Sequence, residues 1–264
     1  MAVVLDGDRV PAEEMQAIAR WTNLSETTFV CTPTAPDADY RLRIFTPQAE
    51  LPFAGHPTIG SAHAVVRRGL KPRVPGRLVQ ECTRGLIPLR LEADRIFFEL
   101  PPSVHFEPSV EQVAAVADAL GIGRPEVVRA EVVDVGPLWF TVQLAQARAV
   151  LALRPDMQKV AALAPTNLTG VTVFGQYPHG SPAHLEVRSF APAHGVAEDP
   201  VCGSGNGCVA SMLRRGPSAV PGEYIAAQGR CLGRDGRVYI RFDNDDAIWV
   251  GGEAVTCVEG TLST

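Results

Sequence analysis

Two stretches of this chain repeat each other's pattern, and that repeat limits the folds that the sequence can adopt. Residues 22–29 read Thr-Asn-Leu-Ser-Glu-Thr-Thr-Phe, and residues 166–173 read Thr-Asn-Leu-Thr-Gly-Val-Thr-Val. At nearly the same spacing, Arg-Ile-Phe-Thr-Pro at 43–47 returns as Arg-Ser-Phe-Ala-Pro at 188–192. Self-similarity at one offset over several blocks indicates an internal duplication. The sequence therefore predicts two similar lobes rather than one large core.

The duplication divides the 264 residues into halves of ordinary domain size. We predict lobes at 1–105 and 106–264, with C-terminal strands able to return to the first lobe. Each lobe contains a nearly uncharged helix after a glycine turn, predicted at 57–68 and 204–215; such helices are buried, and strands wrap them. Further helices are predicted at 11–22 and 155–164, a crossover at 101–125 with a helical pattern at 108–120, and strands at 2–5, 27–31, 39–45, 77–81, 86–91, 95–100, 170–175, 183–190, 223–227, 237–242 and 247–257.

Composition excludes several classes of function. The formal net charge is −5 with mixed signs, so the chain lacks the basic surface typical of nucleic-acid binding. No apolar run approaches the roughly 20 residues that a membrane-spanning helix requires. The six cysteines form no CxxC pair and no secretion signal precedes them, which is typical of reduced thiols. We expect a cytoplasmic protein without nucleic-acid or membrane partners.

The two glycine turns are the strongest chemical feature of the sequence. A helix N-terminus presents unpaired N–H groups and about half a positive charge, so it can hold a carboxylate or an enolate oxygen. Gly55 in the first turn, and Gly203 and Gly205 in the second, permit close approach of a ligand to the backbone. If the lobes face each other, both N-termini line one cleft. The alternative is that these glycines only cap or pack their helices.

Glu26 is the residue at which the two repeats differ most, because Gly170 occupies the matching position. A partly desolvated carboxylate at the mouth of a strand would have a pKa raised toward neutrality and could act as a general base and then a general acid. The alternative is a surface glutamate in a turn. Replacement by glycine in the second copy argues against a shared structural role.

Four more residues near the turns have a functional and a structural interpretation. His56 could donate a hydrogen bond to an anionic intermediate or cap its helix. Asp199 could bind substrate or form a plain turn before Pro200, and Ser204 could bind substrate or cap the second helix. The helix field would lower the pKa of Cys202 and make it a second acid/base, unless it is a small packing residue.

The other motifs of the sequence indicate no cofactor. Gly-Ser-Gly-Asn-Gly at 203–207 lacks the dinucleotide-binding spacing, and no Walker lysine follows either glycine turn. His179, His184 and His194 lack the close spacing of metal ligands. We therefore predict neither a metal nor a cofactor.

Four blocks of the sequence, in order, closely resemble the PhzF-like isomerase family of phenazine biosynthesis. They are Asn-Leu-Ser-Glu-Thr-Thr-Phe at 23–29, Arg-Ile-Phe-Thr-Pro at 43–47, Glu-Leu-Pro-Phe-Ala-Gly-His-Pro at 50–57 and Glu-Asp-Pro-Val-Cys-Gly-Ser-Gly at 198–205. The resemblance covers nearly the whole chain. It implies the α+β, diaminopimelate-epimerase-like fold: two pseudo-symmetric lobes, each a curled, mostly antiparallel sheet around a central helix, with the site between them.

The resemblance also implies a chemistry and a set of site residues. In that family proton transfer is cofactor-free, often in a homodimer, and the glutamate of the Asn-Leu-Ser-Glu block, matching Glu26, is the general acid/base. Substrate contacts come from residues that match Gly55, His56, Asp199 and Ser204. Family members usually begin with a further strand and a Gly-Asn-Pro turn, and the first strand here lacks that preceding segment.

Cys-Gly-Ser-Gly at 202–205 is similar to the second half-site of diaminopimelate epimerase. Ala54, however, stands where that enzyme has its other cysteine, which argues against a two-thiol racemase. We therefore predict an isomerase that moves a proton on a small carboxylate-bearing substrate through Glu26, with the turns at Gly55–His56 and Gly203–Ser204 binding the carboxylate. The alternatives are an epimerase that uses Glu26 and Cys202, and a metabolite-binding protein without activity on the same fold.

Overall fold

The computed structural model describes residues 1–163, 168–216, 222–243 and 246–263. The chain divides into a first unit, Met1–Phe98 with Gly251–Thr264, and a second unit, Glu99–Val250. The division into duplicated lobes at 1–105 and 106–264 stays a prediction. Thr166 and Asn167 of the second repeat, and Ala164 of the predicted helix at 155–164, lie outside the described residues.

The first unit is a curled sheet of strands with two helices. Its elements are β1 (Ala2–Val4), α1 (Ala12–Thr22), β2 (Thr27–Cys31), β3 (Tyr40–Phe45), β4 (Glu50–Leu51), α2 (Gly55–Arg67), β5 (Arg77–Cys82), β6 (Gly85–Leu91) and β7 (Ile96–Glu99). The strand order is β1-β2-β3-β5-β6-β7, and β4 pairs with β3. Strand β1 is parallel to β2 and β3 is parallel to β5, whereas the other pairs are antiparallel. Helix α2 packs against β1, β2 and β3.

The second unit has a larger sheet and four helices among its described residues. Its elements are β8 (Val104–Phe106), α3 (Val110–Leu120), β9 (Val127–Asp134), β10 (Leu138–Leu144), α4 (Ala147–Ala152), α5 (Met157–Ala162), β11 (Leu168–Gln176), β12 (Leu185–Ala191), β13 (Val196–Asp199), α6 (Gly203–Arg214), β14 (Glu223–Gln228), β15 (Gly236–Phe242) and β16 (Ile248–Gly252). The strand order is β16-β15-β14-β12-β11-β10-β9-β8, and β13 pairs with β12.

The connectivity of the two units matches strand by strand. The pairs β1–β2, β2–β3, β3–β5 and β5–β6 are parallel, antiparallel, parallel and antiparallel. The pairs β10–β11, β11–β12, β12–β14 and β14–β15 follow the same sequence. The register agrees as well, because Thr28 faces Ile44 on β3 and Thr172 faces Ser189 on β12. Glu26 and Gly170 therefore take the same place in their units.

The central helices are buried because their sequences contain almost no charge. Every residue from Gly203 to Met212 of α6 is buried, and the helix packs against β9, β10, β11 and β15. On the other face of β10 and β11, helices α3, α4 and α5 cover an aliphatic core. That core includes Val116, Leu120, Val142, Val150, Val160, Val171 and Val173. Sheets buried on both faces favour β-branched residues, which explains its composition.

The predicted elements agree with the structure along most of the chain, with three differences. Strands β9 and β10 and helix α4 lie in a stretch, 126–154, for which the sequence pattern predicts no element. The short strands β4, β8 and β13 are also additional. The strand predicted at 247–257 ends at Gly252 as β16, and the residues that follow run without regular structure. There His63 on α2 contacts the Thr256 hydroxyl (Nε2···Oγ1 3.0 Å), so packing of an irregular tail replaces the expected strand.

The structure explains why the second unit has glycine where the first has Glu26. Gly170 lies in β11 beside Trp139 of β10, and a Cβ there would overlap the main-chain carbonyl oxygen of Phe190. Because the obstacle is backbone, no side-chain rotation relieves it. The absence of an acid at this place is therefore a steric requirement of the second unit.

We predict that Gly170→Ala lowers the free energy of unfolding by about 3 kcal/mol or more, since strand β12 must shift to admit the methyl group. Urea denaturation with an unchanged slope would measure this loss. Gly222→Ala is the matched control, because a Cβ at Gly222 meets no atom of the described residues within 4 Å. Equal stability of the two variants would contradict the steric explanation.

Candidate active site

Glu26 lies where the chain passes from helix α1 into strand β2. Helix α1 ends at Thr22 and is capped by Asn23, whose left-handed backbone (φ 49°) asparagine tolerates better than most residues. The main-chain carbonyl of Glu26 then accepts a hydrogen bond from the N–H of Ala2, at 3.1 Å. The residue is 9% exposed, so it is not the surface glutamate of the alternative interpretation.

Glu26 and His56 form an ion-pair contact, with Nε2 of His56 2.9 Å from Oε2 of Glu26. His56 is the second residue of α2, directly after Gly55, so the start of the helix places the imidazole beside the carboxylate. The structure thus brings together the three residues that the sequence predicts for the first site, Glu26, Gly55 and His56.

The pKa of Glu26 lies below the ordinary value for glutamate. Burial is the largest influence and raises the pKa, but the neighbouring His56, the amino group of Met1 and the Ser25 hydroxyl together outweigh it. The prediction of a pKa raised toward neutrality is therefore wrong, because it considered burial without the imidazole. In the free protein this carboxylate is ionised at neutral pH.

A chain of buried hydrogen bonds fixes the start of helix α2. The carbonyl of Ala54 accepts hydrogen bonds from the N–H and the hydroxyl of Thr58, at 3.2 and 2.9 Å. Gln80 on β5 donates to Thr58 Oγ1 at 3.0 Å and accepts from the Tyr40 hydroxyl at 3.0 Å. Since Tyr40, Thr58 and Gln80 are each at most 1% exposed, the helix start is held without water.

A glutamine on another strand, Gln228, likewise fixes the start of helix α6 through hydrogen bonds. Gln228 on β14 accepts from the N–H of Cys202 at 3.1 Å and from Asn206 Nδ2 at 2.8 Å. Asn206 Nδ2 also donates to the carbonyl of Cys202, at 2.8 Å. Sequence reasoning missed Gln80 and Gln228. The available signal was a polar residue in a buried strand at the same distance after each glycine turn.

The first turn of α6 presents two open donors. The N–H of Gly205 donates to Sγ of Cys202 at 3.2 Å, which makes the cysteine the cap of the helix. The N–H groups of Gly203 and Ser204 have no hydrogen-bond partner among the described residues. Two adjacent N–H groups at a helix N-terminus are a suitable place for a carboxylate.

Cys202 is a buried thiol rather than a thiolate. Burial raises its pKa, the charge of Asp199 raises it further, and hydrogen bonds from Gly205 and the Ser204 hydroxyl offset only part of this. The prediction of a pKa lowered by the helix is therefore wrong. The helix field acts on a side chain that is 3% exposed, and loss of hydration dominates.

The other predicted residues of the second turn lie close to Cys202. Ser204 Oγ accepts a hydrogen bond from Trp139 Nε1 at 3.0 Å and lies 3.6 Å from Sγ of Cys202. Asp199 is half-buried, and its Oδ1 accepts from the N–H of Val201 at 3.0 Å. Trp139 was not predicted, because it lies in the stretch 126–154, for which the sequence pattern predicts no element.

In each unit an arginine forms an ion pair with a glutamate of the loop before the glycine turn. Arg43 binds both oxygens of Glu50 at 2.8 and 2.7 Å. Arg188 binds both oxygens of Glu198 at 2.9 and 2.8 Å, and donates to the carbonyls of Val150 and Leu153. These two-point pairs fix the direction in which the loop reaches the helix. In the sequence, the repeated Arg-x-Phe-x-Pro pattern marks these two arginines as equivalent.

A buried relay in the second unit has the geometry of a hydrolase triad but lacks access. His105 bonds Glu131 Oε2 through Nδ1 at 2.6 Å and Ser211 Oγ through Nε2 at 2.8 Å. Ser211 is 3% exposed and lies in the interior of α6. The relay therefore anchors α6 to β8 and β9 and is no nucleophile site.

None of the helices in the described residues is long and apolar enough to cross a membrane. The chain resembles characterised proteins along nearly its whole length. It is 41% identical to Antisense-enhancing sequence 1 of Schizosaccharomyces pombe, over 98% of this chain and 92% of that protein. It is 37% identical to trans-2,3-dihydro-3-hydroxyanthranilate isomerase of Pseudomonas aeruginosa, over 98% of this chain and 88% of that protein.

A solved structure of similar fold is the PhzF-family phenazine biosynthesis protein of Bacillus anthracis. It matches with a TM-score of 0.80 at 23% identity, over 95% of this chain and 89% of that one. The predicted α+β fold class is confirmed by this likeness. Residues 1–260 match the family described as phenazine biosynthesis-like protein, PhzC-PhzF. The chain therefore belongs to the PhzC-PhzF family, which includes named isomerases.

Proposed function

We propose that this protein is an isomerase that moves a proton on a small carboxylate-bearing substrate without a cofactor. Glu26 takes the proton from carbon and returns it at another position. The observation that supports this most directly is the contact between a buried carboxylate and the imidazole at a helix start, Glu26 and His56. A desolvated carboxylate in contact with a second titratable group is typical of acid/base sites.

His56 has two roles in the proposal. In the free protein its contact holds Glu26 ionised and ready to accept a proton. When substrate binds, His56 donates to an oxygen of the substrate instead, and the pKa of Glu26 rises because burial is then less opposed. A base of higher pKa removes a proton from carbon more readily, so substrate binding strengthens the base at the moment of use.

The carboxylate-binding groups in this proposal are those predicted at the second glycine turn. The N–H groups of Gly203 and Ser204, with the Ser204 hydroxyl, bind the substrate carboxylate and stabilise the charge that develops on it. Asp199 accepts a hydrogen bond from a substrate amine or hydroxyl. The compound named for the Pseudomonas aeruginosa relative, trans-2,3-dihydro-3-hydroxyanthranilate, is a carboxylate by its name and is the first candidate substrate. A homodimer in the cytoplasm stays an expectation from the family resemblance.

Two other functions remain to be separated from this one. An epimerase would use Glu26 and Cys202 on opposite faces of one carbon, and the raised pKa of Cys202 disfavours it as a base. A metabolite-binding protein would bind the carboxylate without moving a proton. Binding with no incorporation of solvent deuterium into any candidate would favour that third function.

We predict that Glu26→Gln lowers the rate of deuterium uptake from D₂O into the substrate by about 10³-fold, because the amide cannot accept the proton. Proton NMR of trans-2,3-dihydro-3-hydroxyanthranilate and of small hydroxy- and amino-carboxylates follows the exchange. Glu13→Gln, on the exposed first turn of α1, is the matched control and should exchange normally. Full exchange by Glu26→Gln would exclude Glu26 as the base.

We predict that His56→Gln moves the acidic limb of the kcat/KM profile to higher pH. Glu26 works as a carboxylate, so activity is present above its pKa in the free enzyme and is lost as the pH falls through it. Without His56 that pKa rises, and the loss occurs at higher pH. His63→Gln alters a histidine of the same helix that contacts Thr256, and should leave the limb in place. An unmoved limb in His56→Gln would contradict the proposed pairing.

We predict that Cys202→Ala retains isomerase activity within about tenfold of the wild type. The thiol caps α6 through the N–H of Gly205, so its loss should lower the free energy of unfolding by about 1 kcal/mol. Kinetics and urea denaturation of the same sample give both quantities. A fall in kcat of several orders of magnitude would instead support the two-residue epimerase.

A further inference from the structure

In each unit a side chain contacts the second residue of the central helix, and the polarity of that contact differs between the units. In the first unit Oε2 of Glu26 lies 2.9 Å from Nε2 of His56, the second residue of α2. In the second unit Nε1 of Trp139 donates to Oγ of Ser204, the second residue of α6, at 3.0 Å. A carboxylate thus faces the helix start in one unit, and an N–H donor faces it in the other.

Strand pairing explains why a tryptophan makes the contact in the second unit. Trp139 on β10 pairs with Gly170 on β11, and Gly170 takes the place of Glu26. A Cβ at Gly170 would overlap the main-chain carbonyl oxygen of Phe190, so β11 has no side chain at this place. The indole of the neighbouring strand reaches the helix start instead, and Trp139 is 3% exposed.

The indole decides how the hydroxyl of Ser204 can be used. An indole nitrogen only donates, so Oγ of Ser204 is the acceptor in this contact. The other neighbour of Oγ is Sγ of Cys202 at 3.6 Å, where either group can be the donor. If the thiol donates, the Ser204 proton is unused; if Ser204 donates, its acceptor is a sulfur, which accepts weakly. In both cases a carboxylate is the better acceptor for that proton.

With this proton the first turn of α6 offers three donors. The other two are the N–H groups of Gly203 and Ser204, which have no partner among the described residues. Three donors suit a carboxylate, whose oxygens only accept, and oppose a carboxamide, whose NH₂ group would face another donor. Without the indole, the Ser204 hydroxyl would be free to turn and accept from such an NH₂ group.

We propose that Trp139 is a positioning residue that makes the second glycine turn select a carboxylate over the corresponding carboxamide. It acts through Ser204, because the indole occupies Oγ as an acceptor and directs the hydroxyl proton toward the ligand. Trp139 itself does not touch the ligand. The inference rests on the proposed function for the place at which the substrate carboxylate binds, and it adds the residue that sets the specificity of that place.

Equilibrium binding of anthranilate and anthranilamide tests the proposal without turnover, because the two probes differ only in the carboxyl group. The wild type should bind anthranilate at least about tenfold more tightly than the amide. Trp139→Phe keeps an aromatic ring but loses the N–H. It should weaken anthranilate binding about five- to tenfold and leave anthranilamide binding within about twofold.

Trp249→Phe is the matched control for loss of a buried indole hydrogen bond. Trp249 is 6% exposed, and its Nε1 donates to Oδ2 of Asp243 at 3.1 Å. Because this contact is not made to Ser204, the variant should keep the wild-type preference for anthranilate. A general effect of removing an indole would lower the affinity for both probes in both variants.

Two further measurements show whether Trp139 acts through Ser204. In Ser204→Ala protein, the change Trp139→Phe should lower the affinity for anthranilate no further, because the two residues share one hydrogen bond. In the wild type, the indole N–H resonance that Trp139→Phe removes from the ¹H–¹⁵N NMR spectrum should shift when anthranilate binds. The indole resonance of Trp249 should stay in place.

The proposal is overturned if the wild type does not bind anthranilate more tightly than anthranilamide, or if Trp139→Phe keeps the full preference. It is also overturned if the effects of Trp139→Phe and Ser204→Ala are additive. Failure of the isomerase proposal gives a different result. A protein that shows the Trp139-dependent preference but exchanges no solvent deuterium supports this inference and loses only the activity.

Discussion

The structure depends on how a helix enclosed by strands satisfies the polar groups at its start. A helix N-terminus leaves N–H groups without partners, and the carbonyl of the preceding residue also needs a donor when water is excluded. In each unit a strand glutamine meets this need with the fourth residue of the helix: Gln80 with Thr58, and Gln228 with Asn206. These hydrogen bonds fix the position and direction of each helix start. Because the glycine turns adjoin the helix starts, their side chains and N–H groups are held in place as well.

The two helix starts differ in chemistry because backbone packing allows an acid in only one of them. Strand β11 passes so close to the carbonyl of Phe190 that residue 170 must be glycine. In the first unit the same place holds Glu26, in contact with His56. In the second unit the N–H groups of Gly203 and Ser204 have no partner among the residues that the structure describes. The same place in the frame thus holds a carboxylate–imidazole contact in the first unit and a glycine in the second.

Much of the fold was predictable from sequence, because buried helices and alternating strands leave strong periodic patterns. The ends of α1, β2 and α6 agree with prediction to within one residue. Strands β9 and β10 lie in a stretch where the pattern predicted no element, since both faces of β10 are covered and its residues do not alternate. The missed anchors, Gln80 and Gln228, act through partners distant in sequence. A polar residue in a strand indicates such a role only after its neighbours are known.

The candidate site was predicted in its residues but not in its electrostatics. Glu26, His56, Cys202 and Ser204 follow from the repeat and from the resemblance. Two pKa directions were wrong, because a pKa depends on the balance of burial against contacts that sequence does not place. For Glu26 the imidazole at 2.9 Å, together with the amino group of Met1 and the Ser25 hydroxyl, outweighs the effect of burial on the pKa, and for Cys202 burial outweighs the effect of the helix.

The most direct test of the central claim is a ¹³C NMR titration of the Glu26 side-chain carboxyl in the free protein. If His56 holds this carboxylate ionised, the resonance should titrate below the ordinary pH range of glutamate. A carboxyl that titrates near neutral pH would show that burial dominates and that His56 does not pair with Glu26. The proposed division of roles between the two residues would then be wrong.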